Sequence, residues 1–255
     1  MKMLFDIYTD RGSILSDSGH EPTMPPANLL DQVPNHWSST SGVGPHYVVG
    51  TATIGDGLQA PIDTFAFNVR SAQSGIIATL RLYDTIDAST PTRTYSKILD
   101  GTDGWKFFNI TEISIVAKWE LSFSNSVFSA FRVILSRVIG GLAWIPNIGA
   151  SGDIGIDRAA YAKSIRKRNG GVFIPPSVNY NTQALTYKEL DEQSTFSLLD
   201  ALANYGSGGN VFVFGLEGTT ALTITKLYGR IKEWSKPTLS ISGNYSLSIT
   251  IEESK

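Results

Sequence analysis

The sequence predicts a mainly β protein: a β-sandwich or jelly roll, then a second β-rich domain carrying one α-helix. The first observation behind this is a period of two. Ile76, Ala78, Leu80 and Leu82 alternate with Ile77, Thr79, Arg81 and Tyr83, and Trp119, Leu121 and Phe123 alternate with Glu120, Ser122 and Ser124. Phe131, Val133 and Leu135 alternate with Arg132 and Ser136 in the same way. Such strands keep one face on a core and the other in water. The second is turn punctuation between the runs, at Gly55-Asp56-Gly57, Asp100-Gly101, Asp103-Gly104 and Gly140-Gly141. The third is that helical spacing is convincing in one stretch alone, 190–205.

In chain order, residues 1–27 read as an N-terminal arm or lead-in, within a stretch (11–46) rich in Ser, Gly, Pro, Asp and Asn. Pro22, Pro25, Pro26, Pro34 and Pro45 exclude a helix there. Residues 28–146 form the first domain, with strands from about residue 47 onward. Beyond Pro146 the Gly/Asn-rich 147–155 reads as a linker or long loop, and 147–255 is the second domain. There Val172-Phe173-Ile174 is a strand stopped by Pro175-Pro176. The helix covers about 191–205, with Phe196, Leu199, Leu202 and Ala203 on one face. Asp191 and Glu192 suit its positive N-terminal end, and Gly206 is the expected residue past its C-cap. Val211-Phe212-Val213-Phe214 reads as a strand buried on both faces. In the last run Leu239, Ile241, Tyr245, Leu247, Ile249 and Ile251 alternate with polar residues, interrupted by a turn or bulge at Gly243-Asn244.

Composition excludes several function classes. The chain has 255 residues and a formal net charge of −2, from 21 Lys+Arg against 23 Asp+Glu. That balance gives no electrostatic basis for a dedicated nucleic-acid or membrane-surface binder. A hydrophobic fraction of 42% is too high for intrinsic disorder. Zero Cys excludes disulfides, Cys-ligated zinc, iron–sulfur clusters and thiol nucleophiles. Asp6 and Asp10 interrupt any signal-peptide core, and Arg132 and Arg137 make 127–146 no membrane span. A soluble protein made in a cytoplasm is expected, so the sequons at Asn109 and Asn244 carry little meaning.

Motifs with chemistry are few. His20, His36 and His46 have spacings of 16 and 10, neither a helical pair, and no carboxylate cluster flanks them. No Gly-x-Ser-x-Gly elbow is present. Asp84, Asp87, Glu112, Glu120, Asp153, Asp157, Glu189 and Glu217 could supply a glycosidase pair, but most sit beside turn or cap residues. Asp153 and Asp157 lack the oxygen density of a calcium loop. Gly206-Ser207-Gly208-Gly209 follows a helix, the reverse of a phosphate loop. No catalytic, cofactor or metal residue is therefore expected. Lys163, Arg166, Lys167 and Arg168 form the one charge cluster, suited to an acidic partner surface, phosphate or glycan. Trp105 and Trp144 lie near turn residues, where rings can stack on sugars or serve as interface bulk.

Residues 28–146 resemble a discoidin-like (galactose-binding-like) jelly roll. The pattern runs through Asn28-Leu29-Leu30-Asp31, Trp37-Ser38-Ser39, Ile62–Asn68 (IDTFAFN), Ile77–Asp84 (IATLRLYD) and Phe131–Leu135 (FRVIL). Divergent versions of it are similar to N-terminal parts of tail and baseplate proteins of tailed bacteriophages. RNGGVFIPPS, the lone helix, NVFVFGL and YGRIKEW…YSLSITIEES look like a tail component too. The resemblance implies a non-enzymatic structural component of a tail tip or baseplate, located in the virion and made in the host bacterial cytoplasm. Its partners would be other tail proteins in a homo-oligomer of three- or six-fold symmetry, with no membrane or nucleic acid. The alternative it implies is a carbohydrate-binding module for attachment to a host glycan, contacted through Trp105, Trp144 and the Lys163–Arg168 cluster.

Overall fold

The computed structural model describes residues 2–30, 36–55, 58–126, 130–147, 155–161, 165–166, 172–173, 178–205, 210–214 and 227–253. The first ten strands are β1 (Lys2–Ile7), β2 (Ile14–Asp17), β3 (Trp37–Ser38), β4 (His46–Thr51), β5 (Ala60–Ser71), β6 (Ile77–Tyr83), β7 (Arg93–Ile98), β8 (Gly104–Val116), β9 (Lys118–Ser124) and β10 (Ile134–Trp144). Then come β11 (Gly155–Tyr161), β12 (Ile165–Arg166), β13 (Val172–Phe173) and β14 (Val178–Leu190), followed by α1 (Glu192–Tyr205). The chain closes with β15 (Asn210–Phe214), β16 (Leu227–Trp234), β17 (Thr238–Leu239) and β18 (Tyr245–Glu253). It divides into two compact units, one of Asp6–Ala143 and one joining Met1–Phe5 to Trp144–Lys255.

The first unit is a β-sandwich of jelly-roll type. One sheet runs β2–β4–β9–β6–β7, and the facing sheet runs β3–β10–β5–β8, every pair antiparallel. The alternating residues read from the sequence fill the space between them: Ile76, Ala78, Leu80, Trp119, Leu121, Phe123, Val133 and Leu135 are buried. Rings interlock across the sheets, Phe65 against Trp119 at 5.6 Å and Phe67 against Phe123 at 5.8 Å. The buried Trp119 keeps its indole N–H satisfied on Thr51 O at 3.1 Å. Tyr83, Ser122 and Ser136, on the faces expected to be wet, are buried as well.

In the second unit the sheet order is β11–β14–β18–β16–β15–β1, with β17 also on β18. Met3, Phe5, Leu185, Tyr187, Val211, Val213, Ile231, Leu247, Ile249 and Ile251 share a core with Leu198 and Leu202 of α1. Asp191 caps the helix, its Oδ1 accepting from Ser194 N at 2.7 Å, and hydrogen bonds from the Ser194 hydroxyl and backbone N–H hold its carboxyl below the usual range.

Several expectations change. Residues 1–27, expected as an arm or lead-in, carry two strands: β1 pairs β15, and β2 pairs β4. The division between units falls at Ala143/Trp144, inside β10 and three residues before the expected boundary at 146. Single 3₁₀ turns occur at Tyr8–Arg11 and Pro26–Leu29, the latter in the Pro-rich stretch expected to hold no helix. Pro26 occupies the first position, where its missing N–H costs nothing. Gly140-Gly141 is not a turn but the interior of β10. A Cβ on Gly140 would sit 2.9 Å from the Phe65 ring, so glycine there permits close approach. The 243–244 turn does separate β17 from β18, with Gly243 at φ 84°. Leu239 and Ile241, expected on the apolar face, are instead exposed around that turn. Phe196 is exposed, and the buried face of α1 is Thr195, Leu198 and Leu202. Val211 and Val213 are buried, while the side chains of Phe212 and Phe214 lie outside the described residues.

Candidate functional site

In the sandwich unit, the loop after β2 and the segment before β10 meet at β3. Ser38 and Ser39, both buried, are the hub. Glu21 N donates to Ser38 O at 3.0 Å, Ser38 N to Met24 O at 3.3 Å, and Ser39 N to Val133 O at 3.0 Å. Val133 N returns to Ser39 Oγ at 3.0 Å, and Arg132 Nε donates to Ser38 Oγ at 2.7 Å. The Arg132 side chain is thereby anchored at its inner nitrogen, with its terminal nitrogens near the surface. One of these, Nη2, lies 3.9 Å from Glu21 Oε1.

His20 joins the cluster through a local device. Gly19, at φ 111°, turns the chain back so that His20 Nδ1 lies 2.9 Å from Asp17 Oδ2. Trp37 Nε1 donates to the same oxygen at 3.3 Å, which orients the carboxylate. Ser18 fixes the turn from below, its Oγ accepting from Tyr47 N at 3.0 Å. No carboxylate cluster flanks the histidines in the sequence, and the single i, i+3 pair in Asp17-Ser18-Gly19-His20 is the signal that points to this contact. His20, Glu21 and Arg132 are 35%, 38% and 43% exposed. Arg132 offers donors, Glu21 acceptors, and His20 a ring nitrogen, Nε2, that no described residue engages. These are the groups that recognise vicinal hydroxyls, and their bases are locked by hydrogen bonds.

The other histidines do structural work. His46 is buried with Nε2 3.1 Å from Phe131 O and its ring edge-on to Phe131 at 4.5 Å. His36 is half-buried, and burial with the nearby Arg70 charge lowers its pKa. A second polar cluster lies on the outer face of the five-stranded sheet, but it is internally satisfied. Arg81 bonds Glu120 and Ser122, Tyr83 Oη donates to Glu120 Oε2 at 3.1 Å, and Lys118 lies over the Tyr83 ring. Burial and the Glu120 charge raise the Tyr83 phenol. This is a cross-strand ladder holding β9 to β6.

The residues singled out in the sequence do not form one site. Trp105 is half-buried on β8 of the sandwich unit. Trp144 belongs to the second unit, edge-on to Tyr187 at 5.4 Å, with Nε1 donating to Ser197 Oγ at 3.1 Å. Arg166 is described by its backbone alone, in β12 opposite Val172. Lys163, Lys167 and Arg168 lie outside the described residues. Among the described residues no group of three His, Asp or Glu is placed to hold a metal, and no helix is long and apolar enough to cross a membrane.

No protein-family model and no curated protein matches the sequence. Solved structures are similar to about half of the chain. One is the family 32 carbohydrate-binding module of Clostridium perfringens NanJ in complex with galactose: 9% identity, 55% of this chain and 98% of that one, TM-score 0.43. Another is chitosan-binding module 1 of a Paenibacillus chitosanase/glucanase: 14% identity, 53% of this chain and 98% of that one, TM-score 0.41. A third is the fourth family 32 module of a Clostridium perfringens family 89 protein: 9% identity, 54% and 100% coverage, TM-score 0.39. At 9–14% identity with TM-scores below 0.5, the likeness extends to no ligand or residue role.

Proposed function

We propose that the sandwich unit is a glycan-binding module whose ligand sits on His20, Glu21 and Arg132. The observation that supports this is a preorganised set of half-exposed donors and acceptors, anchored through Ser38 and Asp17, with valences open to a ligand. Side chains already fixed in place lose little entropy when a ligand arrives. Among the described residues His20 is bonded to Asp17 and to no hydroxyl nucleophile, which favours binding as the role of the set. In a tail or baseplate setting such a module would attach the particle to a host polysaccharide.

A glycan array probed with the purified chain tests this. Reproducible binding is expected, falling about 10–100-fold in Arg132→Ala and Glu21→Gln, the loss of one charge-assisted hydrogen bond of roughly 1.5–3 kcal/mol. A blank array, or binding that both variants leave unchanged, would overturn the reading and return the chain to a purely structural assembly role.

A further inference from the structure

Two Asp-Gly dipeptides, Asp100-Gly101 and Asp103-Gly104, follow one another where β7 turns into β8. This dipeptide is prone to cyclise, because glycine places no side chain between its backbone nitrogen and the preceding carboxyl carbon. In sequence the two are alike, but in the fold they are not. Asp100 Oδ1 accepts from Thr102 N at 3.0 Å, from Thr102 Oγ1 at 2.8 Å and from Lys106 Nζ at 2.5 Å. Lys106 Nζ also donates to Thr102 Oγ1 at 2.7 Å, which ties the three groups together. The carboxylate is thus drawn to residue 102, past the Gly101 nitrogen. The Lys106 and Thr102 hydrogen bonds hold it well below the usual carboxylate range, so it stays an anion, a poor electrophile. Gly101 is also hemmed in, since a Cβ there would meet Ser74 N at 3.0 Å.

Asp103 has none of these restraints. Its side chain is exposed, and among the described residues no hydrogen bond or ion pair holds its carboxyl. Gly104, at φ 110°, is the first residue of β8, and a Cβ there would meet nothing within 4 Å. Strand ends open more readily than strand centres. A five-membered ring fits in that space without displacing a neighbour.

We propose that Asp103 is a site of spontaneous isomerisation to isoaspartate, and that Asp100 in the same turn is protected from it. The Gly104 nitrogen attacks Asp103 Cγ in the protonated fraction of the acid. As the C–N bond forms, the carboxyl C–O bond breaks, and the hydroxyl leaves as water with the amide proton. Water then adds to one carbonyl of the resulting succinimide. Opening at Cγ restores aspartate. Opening at the Asp103 main-chain carbonyl breaks its bond to Gly104 and leaves the chain running through Cβ and Cγ. Mass and charge are unchanged, but the backbone gains one methylene just before Gly104, whose ladder partner is Val69.

Trypsin places both sites on one peptide, Ile98–Lys106. The full chain is aged at body temperature and neutral pH beside the free peptide of the same sequence. Isobaric products are separated by chromatography and assigned by electron-transfer fragmentation. The free peptide should isomerise at both residues. In the folded chain Asp103 should isomerise, with Asp100 slower by about ten-fold or more, since a charge-assisted hydrogen bond must break before attack. Thr102→Val, at an exposed position, removes one of those bonds and should narrow the gap. Comparable isoaspartate at both residues of the folded chain would overturn the proposal, as would none at Asp103 once the free peptide has converted. A gap that Thr102→Val leaves unchanged would overturn the protection of Asp100.

Discussion

Asp10 and Arg137 form an ion pair that is largely out of water, 14% and 5% exposed at the side chain. Burial outweighs the Arg137 charge and pushes the Asp10 carboxyl up to about 6 from 3.8. Between those values the folded state holds more protons than the unfolded state, so this group's contribution to stability is full below about pH 3.8 and is lost as pH rises through about 6. Denaturation midpoints measured from pH 4 to 7 should show this slope in the native chain, amounting to roughly 3 kcal/mol at most, and Asp10→Asn should remove it. Asp100 is the opposite case: hydrogen bonds from Lys106 and Thr102 hold its carboxyl well below the usual range. It is exposed, so the effect fixes the turn before β8 and adds little to stability.

Among the elements, α1 separates what periodicity can and cannot assign. Its existence, its length and the acidic residues at its N-terminal end follow from sequence, but the capping bond of Asp191 and the choice of buried face do not. Phe196, Leu199 and Leu202 satisfy helical spacing as well as Thr195, Leu198 and Leu202 do. The packing of α1 in its core selects the second set, leaving Phe196 51% exposed beside Tyr245. Leu198→Ala should therefore cost about 2–5 kcal/mol by chemical denaturation. Phe196→Ala should cost under about 1 kcal/mol despite removing the larger side chain. Equal costs for the two would show the helix docked by the other face. Strand β10 carries a similar lesson: its Gly140-Gly141 pair punctuates sequence like a turn, yet supplies room for Phe65 across the sheet.

On the scale of the whole molecule, the second unit is assembled from both ends of the sequence. Met3 and Phe5 of β1 belong to its core, and Lys2, Met3 and Leu4 pair with Phe214, Val213 and Phe212 of β15. Deleting residues 1–5 should lower that unit's stability by several kcal/mol, since two large buried side chains and a strand are lost together. The sandwich core uses none of those five residues. Fluorescence from Trp144, packed on Tyr187, and hydrogen exchange in β14 and β18 would read the effect. Unchanged exchange there would show β1 to be dispensable.

By itself the sequence determined the mainly β class, the two β-rich units, the single helix and the buried alternation in β6, β9 and β18. Those are local properties, set by which residues can alternate, cap or turn. Only the tertiary structure decided that the N-terminal segment is strand and that Gly140 is a contact. It also decided that His20, Glu21 and Arg132 stand together. Glu21 and Arg132 are 111 residues apart in the chain, and no period or propensity encodes such a meeting. Strand register and the serine hub of β3 place them, through pairings between distant segments that a single sequence does not display.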